Sequence, residues 1–163
     1  MTDATTTPVD PEVLNKALRT TFESGRTRPH AWRDRQLAGL RRFLEECEGE
    51  LVEALKADLG RPTMEAFAAD VGHTKAELRH IQSHIKDWMR PKKVSVPLTV
   101  APAKGWIQPE PLGVALVIAP WNYPIQLLLE PMGAALAAGN CVVAKPSELA
   151  PACSAVLAKR LPA

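Results

Sequence analysis

Apolar positions along the chain fall into three regimes. Up to about residue 89 they recur at three- and four-residue steps, the period of helices with one buried face. Asp10-Pro11 is a helix start, with Asp as cap and Pro in the first turn, and Val13, Ala17 and Phe22 share one face until Gly25 ends the helix. After a basic connector, Arg26 to Pro29, a second helix is predicted from about Ala31 to Leu59. Leu37, Leu40, Leu44, Cys47, Leu51 and Leu55 form its stripe, and Gly60 stops it. A third is predicted from about Thr63 to Met89, with Met64, Phe67, Val71, Leu78, Ile81, Ile85 and Trp88 on the core side, ended by Arg90-Pro91. Two long amphipathic helices joined by a short turn predict a helical hairpin.

From 92 to 112 the helical period vanishes. Pro97, Pro102, Pro109 and Pro111 exclude a regular central strand and leave two readings, an extended β-arm or edge hairpin and an ordered linker. The third regime is continuous. Val114 to Ala119 (VALVIA) is an unbroken apolar run with the length and β-branching of a strand buried on both faces. Pro120-Trp121-Asn122-Tyr123-Pro124 breaks it, and Pro124 suits the first position of a helix. Ile125 to Ala138 is apolar nearly all round and so predicts a buried helix, kinked or locally broken at Pro131, with Gly139-Asn140 as its stop. Cys141 to Lys145 (CVVAK) is a second short strand. Strand, crossover helix and strand make a right-handed βαβ unit.

The fold class is therefore α/β: an N-terminal helical layer followed by the first βαβ unit of an incomplete Rossmann-like parallel sheet. A two-stranded sheet leaves open edges and a bare apolar face, which predicts aggregation or a need for a partner. The 163 residues, net charge +2 and 46% hydrophobic content suit one globular domain. The charge is too small and too mixed to point to nucleic acid or an anionic membrane. No stretch reads as a signal peptide or a membrane span, and residues 1–9 read as a disordered leader. The three cysteines, Cys47, Cys141 and Cys153, have no metal-type spacing and imply a reducing, cytoplasmic setting without disulfides.

Chemistry concentrates after the two strands, where open α/β sheets place their ligands. The Asn122 carboxamide can donate to a developing oxyanion without titrating, an interaction worth about 3 kcal/mol in a transition state; the bland alternative is a turn asparagine bonding its own backbone. The Trp121 indole N–H can donate to a phosphate oxygen, or the ring can simply pack. Lys145 and Glu148 can both bond ribose hydroxyls, and the carboxylate disfavours a 2′-phosphate, which favours NAD over NADP, with Lys145 offsetting part of that repulsion. Their bland reading is a surface ion pair worth ~0–1 kcal/mol. His73, Glu77, His80 and His84 fall on one stripe of the third helix, but no H-E-x-x-H or third ligand completes a zinc set, so the stripe reads as a solvated or subunit-facing edge. Cys153 lies in a helix first turn, where the dipole lowers a thiol pKa, which makes it the only plausible reactive thiol.

The turn PWNYP, the AAGN that ends the helix and the KPSE after the second strand stand at one mutual spacing over about forty residues. Together they resemble the NAD(P)-dependent aldehyde dehydrogenase superfamily. The PLGV lead-in and the Tyr after Asn122 are similar to its class 3, fatty-aldehyde-like branch. The resemblance implies aldehyde oxidation with NAD, NADP being the other option. It implies Asn122 as the oxyanion donor, and Ala119, Pro120 and Trp121 along the cofactor groove near the pyrophosphate. Lys145 and Glu148 would contact the adenosine ribose, with Pro146 and Ser147 shaping the approach. Cys153 would lie at the adenosine end, away from Asn122, and is rejected as the nucleophile. Residues 10–91 become the helical layer of a partial aldehyde dehydrogenase domain, 92–112 an oligomer-building β-arm, and 113–163 the start of the cofactor-binding domain. A homo-dimer, a small-molecule aldehyde and no metal are expected. The family's thiolate and general base come from a Glu-Leu-Gly-Gly stretch and a Gly-Gln-x-Cys-like stretch, which are absent from these 163 residues. The second reading is therefore a catalytically inactive chain that acts as a subunit-interaction or weak nucleotide-binding module.

Overall fold

Asp10 opens the first helix as expected: its carboxylate accepts from the Glu12 N–H at 2.8 Å. The computed structural model describes residues 10–161, so the expected disordered leader lies outside the described residues. Helix α1 is Pro11–Glu23, α2 is His30–Glu46, α3 is Glu48–Leu59, α4 is Thr63–Ala66, a π-turn spans Phe67–Val71, and α5 is Gly72–Trp88. Strand β1 (Lys92–Val94) pairs antiparallel with β2 (Gly105–Ile107). Strand β3 (Val114–Ile118), helix α6 (Gln126–Ala138) and parallel strand β4 (Cys141–Lys145) form the βαβ unit, and α7 is Pro151–Arg160.

The predicted second helix is two helices. The chain bends at Cys47, whose φ of −103° and ψ of 9° leave the helical region. The stripe itself holds: Leu37, Leu40, Leu44, Cys47, Leu51 and Leu55 are all buried. Gly60 ends α3 in the left-handed conformation, with its N–H on the Lys56 carbonyl. The predicted third helix is continuous in direction but contains the π-turn. Val71, Leu78, Ile81 and Ile85 reach the core, while Met64, Phe67 and Trp88 are exposed. Helix α1 likewise buries no residue. A helical period shows that a face is apolar; what lies opposite decides whether it is covered.

Helix α6 packs against α2 and α5 on one side and β3 and β4 on the other. It runs through Pro131 without the expected break, the proline lying on an exposed position. A Cβ at Gly133 would run into the Leu78 side chain, so this glycine is what lets α5 and α6 approach closely. Gly139 adopts φ 95° and closes α6, and Asn140 then ties the helix end to the sheet. The Asn140 carboxamide accepts from the Gly113 N–H at 2.8 Å and donates to the Ala135 carbonyl at 3.2 Å. Buried Arg33 from α2 donates to the carbonyls of Ala137 at 3.0 Å and Thr27 at 3.3 Å, placing a cation at the negative end of α6.

Strand β3 departs from the predicted two-sided burial. Val117, Val142 and Ala144 pack on the core beneath α6. On the opposite face Leu116 and Ile118 are 62% and 63% exposed. Helix α1 reaches β3 and β4 without covering them. Within residues 92–112, β1 and β2 pair antiparallel, and both strands are largely exposed.

Candidate active site

Parallel pairing carries both candidate segments to one edge. Ile118 pairs with Lys145 at the carboxyl ends of β3 and β4, and the Ala119 N–H extends the ladder to the Lys145 carbonyl at 3.0 Å. Ala119 is buried. Pro120, Trp121 and Asn122 emerge from it, with Trp121 51% exposed. The turn then re-enters the core at Pro124 and Ile125. Regular helix starts at Gln126, two residues later than the Pro124 signal, although the Leu127 N–H already reaches the Tyr123 carbonyl at 2.9 Å.

Asn122 is held by its backbone. The Arg61 guanidinium donates to the Asn122 carbonyl and lies 4.2 Å over the centre of the Tyr123 ring. Among the described residues the Asn122 carboxamide makes no hydrogen bond, and in particular none to its own turn. Its NH2 therefore faces outward with its donors uncommitted. Arg61 is itself nearly buried and faces Asp70, Nη1 to Oδ2 3.6 Å. Asp70 is wholly buried, and its other oxygen accepts from the Gln126 N–H at 2.5 Å. Helix α6 has no cap of its own, because the preceding residue is Ile125, so Asp70 satisfies one of its free N–H groups from across the core. Burial pushes the Asp70 carboxyl up from 3.8 to about 6, against the pull of the Gln126 N–H and Arg61, with Glu130 pushing the same way as burial.

After β4, the Lys145 ammonium donates to the Glu148 carboxylate at 2.7 Å and to the Pro146 carbonyl at 3.3 Å. That ion pair holds the exposed Glu148 carboxyl below its ordinary range, so the group is an acceptor at neutral pH. Ser147 is buried and organises the loop: its hydroxyl accepts from the Leu149 N–H at 3.2 Å and its carbonyl accepts from the Ser154 hydroxyl at 2.9 Å. Pro146 is half-buried beside it.

The cysteines behave differently from the helix-dipole expectation. Cys153 is wholly buried, and Asp58 of α3 receives the N–H groups of Ala152 at 3.0 Å and Cys153 at 2.8 Å. Burial and then this carboxylate push the Cys153 thiol far above the ordinary range, the reverse of the predicted lowering. Burial raises the Cys47 and Cys141 thiols as well. His73 bonds Glu130 at 2.7 Å and lies 3.2 Å from the Gln126 amide nitrogen, while His80, His84 and Trp88 stack along an exposed edge. Among the described residues no three His, Cys, Asp or Glu side chains are grouped to hold a metal ion.

Arg61, Asp70, Asp58 and Arg33 give no motif signal in the sequence. The residues that precede α6 and α7, Ile125 and Ala150, have no side chain able to cap a helix, and in both cases a carboxylate from the helical layer takes that place.

The aldehyde dehydrogenase family model matches residues 2–162. The chain is 46% identical over 147 residues to aldehyde dehydrogenase family 3 member I1, chloroplastic, of Arabidopsis thaliana, covering 90% of this chain and 27% of that protein. It superposes on the substrate-bound state of Staphylococcus aureus AldH with a TM-score of 0.88 at 36% identity, over 94% of this chain and 33% of that one. PnpE in complex with nicotinamide adenine dinucleotide matches with a TM-score of 0.79 at 29% identity, over 94% and 31%. The chain spans about a third of the length of the curated relatives it matches. With its turn, its βαβ unit and its helical layer all matched, the chain belongs to the aldehyde dehydrogenase family.

Proposed function

We propose that these residues supply the oxyanion donor and one half of the cofactor site for NAD(P)-dependent oxidation of an aldehyde to a carboxylic acid. In this reading 10–91 is the helical layer, 92–112 the β-arm and 113–163 the start of the cofactor-binding domain. The observation that carries it is Asn122: its carbonyl is held by Arg61, and its carboxamide stands uncommitted at the carboxyl edge of a parallel strand pair. When an aldehyde carbonyl is attacked, negative charge grows on its oxygen, and a neutral amide held in place stabilises that charge without gaining or losing a proton.

The residues fit a dinucleotide. Glu148 is ionised and can accept from a ribose diol, Lys145 beside it can donate, and the exposed Trp121 indole and Ala119-Pro120 offer a wall and a donor for the phosphates. The N-terminus of α7 is taken by Asp58 and that of α6 by Asp70, so the groups these residues offer the phosphates are side chains and not those two helix ends. The bound cofactor would supply the hydride acceptor. The carboxylate favours NAD, while Lys145 offsets part of its repulsion of a 2′-phosphate. An aliphatic or aromatic aldehyde, a homo-dimeric assembly and a cytoplasmic setting complete the proposal.

Aldehyde oxidation also needs a thiolate and a general base. The three thiols among these residues are all buried and raised, so none of them is offered as that nucleophile. Intact mass in extracts of the source organism decides which chain to assay. In the longest native chain carrying these residues, Asn122→Ala should lower kcat by about 10²–10³-fold with little change in the KM for NAD. Undiminished turnover in that variant would refute the assignment. The 163-residue chain alone should bind NAD, read by Trp fluorescence, and form no NADH.

A further inference from the structure

Arg61 and Asp70 are charged groups almost withdrawn from solvent, and both meet the PWNYP turn. Arg61 leaves the helical layer just after Gly60 and grips the turn at its start, by the hydrogen bond to the Asn122 carbonyl and the stacking on Tyr123. Asp70, in the π-turn, grips it at its end through the Gln126 N–H. The two side chains face each other at 3.6 Å, so the turn from Asn122 to Gln126 is clamped at both ends by one ion pair. As glue this is a poor choice. A Ser or Asp in place of Ile125 would cap α6 locally, and a buried ion pair of this kind rarely outperforms apolar packing for stability. Arg61 Nη1 and Asp70 Oδ2 have no hydrogen-bond partner, which adds to the cost. What the pair does achieve is definition of place. The Asn122 side chain is exposed and makes no hydrogen bond among the described residues, so the contacts that locate this residue are those of its backbone.

We infer that Arg61, braced by Asp70, is a positioning residue for Asn122: it fixes the turn backbone so that the carboxamide stands where the oxyanion forms. This rests on the function proposed above. A displacement near 1 Å at a reacting centre costs about 10²-fold in rate, so loosening the carbonyl anchor should act on the chemical step rather than on cofactor affinity. The guanidinium makes its contacts with three features at once, the Asn122 carbonyl, the Tyr123 ring and Asp70. An ammonium in its place keeps a donor and the charge but loses the planar fork.

The test uses the longest native chain carrying these residues. Arg61→Met should lower kcat for aldehyde oxidation by about tenfold or more with the KM for NAD within twofold, and Arg61→Lys should recover only part of that loss. The discriminating measurement is the double variant. If Arg61 acts through Asn122, Arg61→Met combined with Asn122→Ala is no slower than Asn122→Ala alone; a general structural role multiplies the two losses and overturns the inference, as does an Arg61→Met kcat within twofold of the unmodified protein. The second readout is independent of activity. In 15N-asparagine-labelled protein, the Asn122 backbone and carboxamide resonances should shift and broaden in Arg61→Met and move part of the way back in Arg61→Lys. Unmoved resonances overturn the inference even if turnover falls. A protein that oxidises no aldehyde while the Asn122 resonances respond in this way sinks the proposed function and leaves the positioning standing.

Discussion

Replacing Asp70 by Asn should remove a pH dependence of stability whose sign is opposite to that of most carboxylates. Asp70 is wholly buried and its pKa is raised from 3.8 to about 6 in the folded chain. The folded state therefore binds a proton more tightly than the unfolded state between those values. Stability contributed by that proton is fully present below pH 3.8 and is lost as pH rises through about 6. The whole effect is about 3 kcal/mol, and about 2 kcal/mol of it falls between pH 7.5 and 4.5, from the two pKa values and 1.36 kcal/mol per unit. Other groups titrate in the same window, and Glu148 and Glu50, held low by Lys145 and Arg160, pull the other way. The comparison is therefore made as a difference. Urea unfolding of the full chain and of Asp70→Asn is followed at pH 7.5, 6.0 and 4.5. The unmodified chain should gain about 2 kcal/mol relative to the variant on going from 7.5 to 4.5, most of it below pH 6. Absolute stabilities are not the readout, because the amide also leaves Arg61 without its counter-charge. Parallel pH profiles for the two proteins would refute the reasoning and mean that Asp70 titrates near its unfolded value, which in turn would require a closer Arg61 contact or water at the pair.

Three further outcomes follow from the packing. Cys47, Cys141 and Cys153 should all resist a thiol reagent such as DTNB in the folded chain and react together on unfolding; a fast-reacting native thiol would contradict the burial and the raised thiol pKa values. Gly60→Ala and Gly139→Ala both force a left-handed residue, at φ 65° and 95°, but only at Gly139 would the new Cβ meet the Arg33 guanidinium. Gly60→Ala should therefore cost about 1 kcal/mol and Gly139→Ala about twice that or more, read by chemical unfolding. Glu148→Gln, which removes the carboxylate beside Lys145, should raise the ratio of NADP to NAD use several-fold in the longest native chain, and an unchanged ratio would separate Glu148 from the ribose.

How far this architecture can be read from the chain depends on whether each signal is local. The βαβ unit was legible because every part of it lies within a few residues of its cause: the apolar run before Pro120, the paired prolines of the turn, and Gly139 with its positive φ. The Leu37–Leu55 stripe was legible for the same reason, since its period outlives the bend at Cys47, two residues before Gly49. Exposure of Met64, Phe67, Trp88, Leu116 and Ile118 was not legible, because period identifies a face and not its neighbour. Cys153 shows how a correct local rule is overruled. A helix first turn lowers a thiol pKa when its N–H groups are free, but here they are given to Asp58, and the carboxylate that satisfies them also sits beside the sulfur. The same arrangement occurs at α6 with Asp70. Both helices that follow the sheet strands begin without a residue able to cap them, at Ile125 and Ala150, and both are capped by a carboxylate from the helical layer. The missing cap alone does not announce this, because α2 and α3, preceded by Pro29 and Cys47, also lack a side-chain cap and receive no carboxylate among the described residues. At α6 and α7 the two acids are the contacts that lock the helical layer onto the loops carrying Asn122 on one side and Lys145 and Glu148 on the other. The helical layer is in that sense part of the site: its carboxylates occupy the helix N-termini, and the groups left free at the sheet edge are side chains.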